Sequence, residues 1–281
     1  MMRHLQPKDC AINTATLGFQ APIGHVIEAV ARSGFGAIAP WRREVEGRDV
    51  KAIARQIRHA GLMVPGYCRS TYIPARDNAD FNANVEANRR AISDAGVLGA
   101  KSFVMVVGGL PEGSRDISAA REQVAEAAGL LLPHAKACGV RLALEPLHPV
   151  YAASRSCLSL LSEALDMCEA VEGSVDDAWL GVCIDVYHVW WDPNLRRDIA
   201  RSRGRILGFH VCDWLVPTVD VLNDRGMMGD GVIDVRAIRG DVEAAGFEGF
   251  TEVEIFSATD WGKRPMDETL AACRERLAAA T

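Results

Sequence analysis

Hydrophobic residues in this chain fall into short runs of strand length, and four of those runs end abruptly in polar side chains. In LGVCIDVYH, apolar Leu180, Val182, Cys183 and Ile184 lead into Asp185, with His188 just beyond. RLALEPLHP ends in Glu145 and His148, ILGFHVCDW in His210 and Asp213, and FTEVEIF in Glu252 and Glu254. A buried strand cannot leave a carboxylate at its tip unpaired, because desolvating the charge costs several kcal/mol or more. Carboxylates and imidazoles converging at strand ends are best matched by a divalent metal or a polar substrate.

The rest of the pattern alternates between strand and helix. Cys10–Phe19 reads as a first strand, and Pro22 opens a helix that stops at Gly34. Gly36–Val45 reads as a second strand that carries Trp41 and Arg42. Asp49 caps a helix that stops at Gly61. LMVPGYCRST is a third strand interrupted by Pro65 and Gly66, and a helix follows over Asp80–Ala95. KSFVMVVGGL is a fourth strand, apolar enough to be covered on both faces. A helix over Ile117–Cys138, the fifth strand VRLALEPLHP and a helix over Cys157–Val171 come next. The polar connection EGSVDDAW then leads into the sixth strand, at Leu180. Pro193 opens a helix that ends near Ser202, before the seventh strand, RILGFHVCDW. VPTVDVLNDRGMMGDG has neither period and reads as loop. A helix over Ile233–Ala245, the eighth strand FTEVEIF and a helix over Pro265–Ala279 complete the chain.

Strand–helix units recurring roughly every 30 residues imply a parallel sheet with helical crossovers. Eight units favour one domain over residues 1–281, an α/β fold closed into a (β/α)₈ barrel. No G-x-G-x-x-G follows the first strand, so a doubly wound dinucleotide-binding sheet lacks its fingerprint. Closure matters because the C-terminal strand ends of such a barrel meet on one face, where its chemistry resides.

Composition adds exclusions. With 49% hydrophobic and 24% charged residues the chain is ordinary globular material, and a net charge of −6 argues against a nucleic-acid partner. MMRHLQPKDC has no apolar core of a secretory leader, and no run approaches a membrane span, so a cytoplasmic protein without a membrane partner is expected. The eight Cys form no C-x-x-C pair and read as buried, reduced thiols.

Glu145, Asp185, His210 and Glu254 form a hard, oxygen-rich donor set suited to one Mn²⁺ or Mg²⁺, with Co²⁺ or Zn²⁺ also acceptable. Singly, each is equally a salt-bridge partner or a satisfied core histidine; the metal reading rests on four together. Glu252 and Glu254 face the same way on a strand. Glu254, nearer the C-terminal end, is the expected ligand, and Glu252 is expected to pair with an Arg or Lys deeper in the barrel.

The motifs EPLHP, IDVYH, FHVCD and DRGMMGDGVID, followed by EVEIF, resemble the xylose isomerase-like TIM-barrel superfamily over nearly the whole chain, and within it the sugar phosphate isomerases/epimerases. The resemblance implies that Glu145, Asp185, His210 and Glu254 bind one divalent metal, and that His188 and Arg225 hold substrate oxygens. It further implies that Glu145 and Glu254 act as an acid–base pair in a metal-stabilised enediolate mechanism. The substrate class implied is a small sugar, keto-sugar or cyclitol, isomerised or epimerised. A lyase on the same scaffold, a dehydratase or a 3-keto-glycoside β-eliminating enzyme, is the alternative. Endonuclease relatives use extra histidines for a three-zinc cluster. Here Trp41–Arg42 and Cys68–Arg69 stand at those strand ends, so DNA repair is disfavoured.

Around this set, His148 is either a substrate contact or a loop residue before Pro149. Trp41 is expected to wall the substrate pocket, with one or two of Trp190, Trp191 and Trp214. Arg225 is either a clamp on a hydroxyl, carboxylate or phosphate or a solvated loop charge, and Asp213 is expected to orient a neighbour such as Arg225. Gly229 and Gly231 are expected to turn their loop with positive φ. Arg42 and Arg69 are either anion contacts or structural ion pairs. The large loops of this face leave room for a homodimer.

Overall fold

A computed structural model describes residues 2–173 and 177–281. Part of the polar connection before the sixth strand, residues 174–176, lies outside the described residues. Eight parallel strands carry the fold: β1 (Cys10–Asn13), β2 (Ala37–Ala39), β3 (Gly66–Cys68), β4 (Ser102–Met105), β5 (Arg141–Leu144), β6 (Leu180–Asp185), β7 (Ile206–Val211) and β8 (Thr251–Val253). They pair in the order β2-β1-β8-β7-β6-β5-β4-β3. Parallel bridges Ala37–Met63 and Trp41–Cys68 draw the two outer strands together, so the sheet is a nearly closed (β/α)₈ TIM barrel.

The helices that follow the strands are α1 (Ile23–Arg32), α2 (Val50–His59), α3 (Asn78–Leu98), α4 (Ile117–Cys138), α5 (Leu161–Glu172), α6 (Leu195–Arg201), α7 (Val235–Ala244) and α8 (Met266–Ala280). Several begin on a side-chain cap that satisfies an otherwise orphaned N–H, as when Asp49 accepts from Ala52 and Asp116 from Ala119.

Strand alternation sorts the core. Phe103, Leu142, Leu144 and Ile184 join the helices in the main core, whereas Cys68, Val104, Ala143 and Cys183 form a small separate cluster. Gly66, Gly181 and Gly208 also lie on the strands, so the barrel is not filled by bulky branched side chains. Gly208 leaves room where a Cβ would stand 2.8 Å from Cys183 Sγ.

Local differences from the sequence expectation have local causes. The first strand stops at Asn13 rather than Phe19, because the Asn13 side chain accepts from Ala15 N and starts a 3₁₀ turn over Thr14–Leu17. The second strand stops at Ala39, and Arg42–Val45 form a helical turn in which Glu44 accepts from Trp41 N. Helix α5 begins at Leu161 instead of Cys157, since Glu163 reaches back to the N–H groups of Ser159 and Leu160. The segment read as loop contains a short strand, Arg225–Gly226, which pairs antiparallel with Asp213–Trp214 at the end of the seventh run.

Candidate metal centre

Register brings the acidic strand ends together. His210 on β7 lies opposite Asp185 on β6 and Glu252 on β8. Glu145 and Glu254 extend their strands by one residue, with Glu145 N donating to Met105 O and Glu254 N to Val211 O, each at 3.1 Å. One donor atom from each of Glu145, Asp185, His210 and Glu254 falls within a 4.8 Å cluster, and all four residues are buried. His210 Nδ1 stands 3.5 Å from Glu145 Oε1 and 3.4 Å from Glu254 Oε2.

The electrostatics favour a bound cation. Four carboxylates, those of Glu145, Asp185, Glu252 and Glu254, are almost wholly removed from water around one imidazole and the single guanidinium of Arg225. Glu145 Oε1 and His210 Nδ1 are buried without any hydrogen-bond partner. A divalent ion would satisfy both atoms and offset the surplus charge, so the residues present fit the metal read from the sequence. Burial pushes the Glu145 carboxyl up to about 7, with the neighbouring Glu254 adding to it. Burial also acts upward on Glu254, but His210 and Arg225 outweigh it and hold that carboxyl down at about 2.

A second ring of residues fixes the first. Asn13 Nδ2 donates to Glu252 Oε1 at 2.8 Å and to Glu254 Oε1 at 2.9 Å. Its Oδ1 accepts from Trp41 Nε1 at 2.7 Å. Glu252 therefore rests against Asn13 and His210 Nε2 (3.4 Å), not against the deeper Arg or Lys expected; a neutral amide and an imidazole occupy that level of the barrel. Asp185 Oδ1 accepts from Tyr187 N, which caps the helical turn Val186–Val189 and folds His188 back over the site. Arg225 Nη1 donates to Asp185 Oδ2 at 2.9 Å, and Nη2 reaches His188 Nε2 at 3.2 Å. Burial lowers the His188 pKa to about 3, with Arg225 pressing the same way, so its ring is neutral and Nε2 is free to accept. The Arg225 guanidinium is clasped by the rings of Tyr187 (4.4 Å) and Phe256 (4.9 Å).

Above the donors lies a pocket lined by Glu145, Glu254, His188, Arg225 and Trp41 among others. His148 is not among its lining residues. That ring packs against Trp191 and Trp214, and its Nδ1 accepts from Val150 N. Trp190 and Trp214 pack on each other, and Trp214 stacks on Tyr187, so of the four tryptophans only Trp41 lines this cavity. Asp213 does not orient Arg225. Its carboxylate accepts from the N–H groups of Trp214, Gly229 and Ile233 and ties up the segment that carries the arginine. Gly229 has the expected positive φ (+90°). Gly231 is needed for closeness instead, since a Cβ there would lie 2.1 Å from Trp214 O. Arg42 is an ion pair, with Glu46 at 2.6 Å. All eight cysteines are free thiols.

Asn13 escaped the sequence reading because the first strand was carried too far; the hydroxyl-rich N-T-A-T after an apolar run was the available signal. Tyr151 and Tyr187 were also missed. Both hydroxyls donate to Val221 O at 2.8 Å and pin the loop after β7 over the cavity.

A family model of the xylose isomerase-like TIM barrel matches residues 27–276. The chain belongs to that family. Protein SMc04130 from Sinorhizobium meliloti 1021 is 49% identical, with 98% of this chain and 99% of that one covered and a TM-score of 0.93. An IolI protein with a bound zinc atom is 17% identical over 96% of this chain and 98% of its own, with a TM-score of 0.81. A D-psicose 3-epimerase in the presence of D-fructose is 15% identical over 95% of this chain and 96% of its own, with a TM-score of 0.78. The last two likenesses establish the fold alone. No curated protein matches the chain. No helix among the described residues is long and apolar enough to cross a membrane.

Proposed function

We propose that this barrel is a divalent-metal-dependent isomerase or epimerase of a small sugar, keto-sugar or cyclitol. The observation that carries the proposal is the 4.8 Å convergence of Glu145, Asp185, His210 and Glu254 beneath a cavity that two of them line. The activity of the D-psicose 3-epimerase neighbour, on the same fold, supports it.

When bound, a divalent cation supplies Lewis acidity to the adjacent oxygens of a hydroxy-ketone, which makes the neighbouring C–H more acidic. The protein's own groups then manage the proton. Glu145 and Glu254 present carboxyls from β5 and the end of β8; one takes the proton from carbon and the other returns it. Return to the adjoining carbon isomerises, and return to the opposite face of the same carbon epimerises. Neutral His188 and the clasped Arg225 orient substrate hydroxyls, and Trp41 excludes water along one wall.

Metal analysis of the purified protein, followed by a solvent-deuterium exchange screen over keto-sugars, tests this reading. Deuterium uptake into an otherwise intact sugar, lost on dialysis against a chelator and restored by Mn²⁺, is the expected result. Undiminished exchange in the metal-free protein overturns it, and loss of water or an aglycone from the substrate points to elimination instead.

A further inference from the structure

Two arginines on the cavity wall have no assigned counter-charge. Arg69 follows β3, and Arg155 lies in the loop after β5. The Arg69 guanidinium lies 4.6 Å over the Tyr72 ring, and its recorded hydrogen bond is a long one, 3.3 Å from Nη1 to Ser70 O. The Arg155 guanidinium sits 5.6 Å from the Tyr151 ring, and its Nε is buried with no hydrogen-bond partner. Neither forms an ion pair among the described residues, whereas Arg225 in the same cavity is paired with Asp185.

Stacking on a ring occupies the face of a guanidinium and leaves the N–H groups at its edge available. Two half-buried like charges close enough to influence one another cost energy that an enclosed anion would recover. Burial, reinforced by Arg155, in fact lowers the Arg69 pKa. Glu145 and Glu254 line the same cavity but are engaged by His210 and, for Glu254, by Arg225, and among the described residues neither pairs with Arg69 or Arg155.

We infer that the substrate carries an oxyanion, a carboxylate or a phosphate, away from its reacting ketone, and that Arg69 and Arg155 hold it. This rests on the reading of the cavity as the substrate site. It narrows the substrate from sugars in general to sugar acids or sugar phosphates. Anion binding can be read without turnover.

Calorimetric titration of the metal-loaded protein with three matched polyols, sorbitol, gluconate and sorbitol 6-phosphate, tests it. One or both anions should bind roughly tenfold or more tightly than sorbitol. Arg69→Gln and Arg155→Gln should each erase most of that preference while leaving the metal affinity unchanged. The tighter of the two anions identifies the oxyanion. Equal binding of sorbitol overturns the inference, and so does a preference that survives in both variants, because it would place the anion on the metal. A failed deuterium-exchange screen, by contrast, counts against the isomerase reading and leaves this result standing.

Discussion

Asn13 Nδ2 is shared between Glu252 Oε1 and Glu254 Oε1, at 2.8 and 2.9 Å, so one neutral amide holds apart two buried carboxylates that β8 presents side by side. Asn13→Ala removes both donors at once. The metal-free variant should lose about 1–3 kcal/mol in urea denaturation. Metal affinity should weaken by roughly 10–100-fold, as for other groups that orient ligands from behind. Unchanged affinity would mean that the strand alone fixes Glu254.

Glu254→Gln keeps the shape of the side chain but removes its charge and basicity. Turnover should vanish while thermal denaturation shows a folded protein, with only a modest change in stability. Normal turnover in this variant would place the proton-transfer role elsewhere.

These two positions show what the sequence made legible. Glu254 could be read from FTEVEIF because a carboxylate at the end of an apolar run has few explanations, and the same logic identified Glu145, Asp185 and His210. Asn13 was less legible, since a neutral amide is less costly to bury than a carboxylate, and only the hydroxyl-rich N-T-A-T of CAINTATLGF marks where the strand stops. The helices and strands followed from periodicity, which depends on local contacts. The partners of Asp213, Glu252 and His148 depend on which loop folds over which, and spacing along the chain carries no trace of that.

Asp213 accepts three backbone N–H groups at 2.8 to 2.9 Å, from Trp214, Gly229 and Ile233. Asp213→Ala leaves those donors without their anchor and should destabilise the protein by about 3 kcal/mol, measured by urea denaturation. The arginine carried by the same segment should lose its fixed place, so KM should rise more than kcat falls. A change in kcat alone would show that the segment holds its shape without the carboxylate.

Burial raises the Cys168 thiol from its ordinary value of 9.0 to about 12, far from the metal set. From about pH 9 upward the unfolded chain gives up this proton while the folded one keeps it, so the folded state holds more protons and stability declines as pH rises. Below pH 9 both states are protonated and the contribution is intact. Melting temperature should therefore drop on the alkaline side, and Cys168→Ala should flatten that slope even if it lowers the plateau. An unaltered slope in the variant would assign the decline to other groups.

The four donor residues stand on or immediately after β5, β6, β7 and the eighth strand, which are consecutive neighbours in the sheet. An ion held there would be gripped by half of the staves, and the turns above the first four strands contribute no residue to the donor set. Apart from Asn13 and Trp41, which buttress Glu254 from the ends of the first two strands, those turns can be reshaped without disturbing the donor set. A lineage built on this plan can try new substrates on one side while its inorganic chemistry stays anchored on the other.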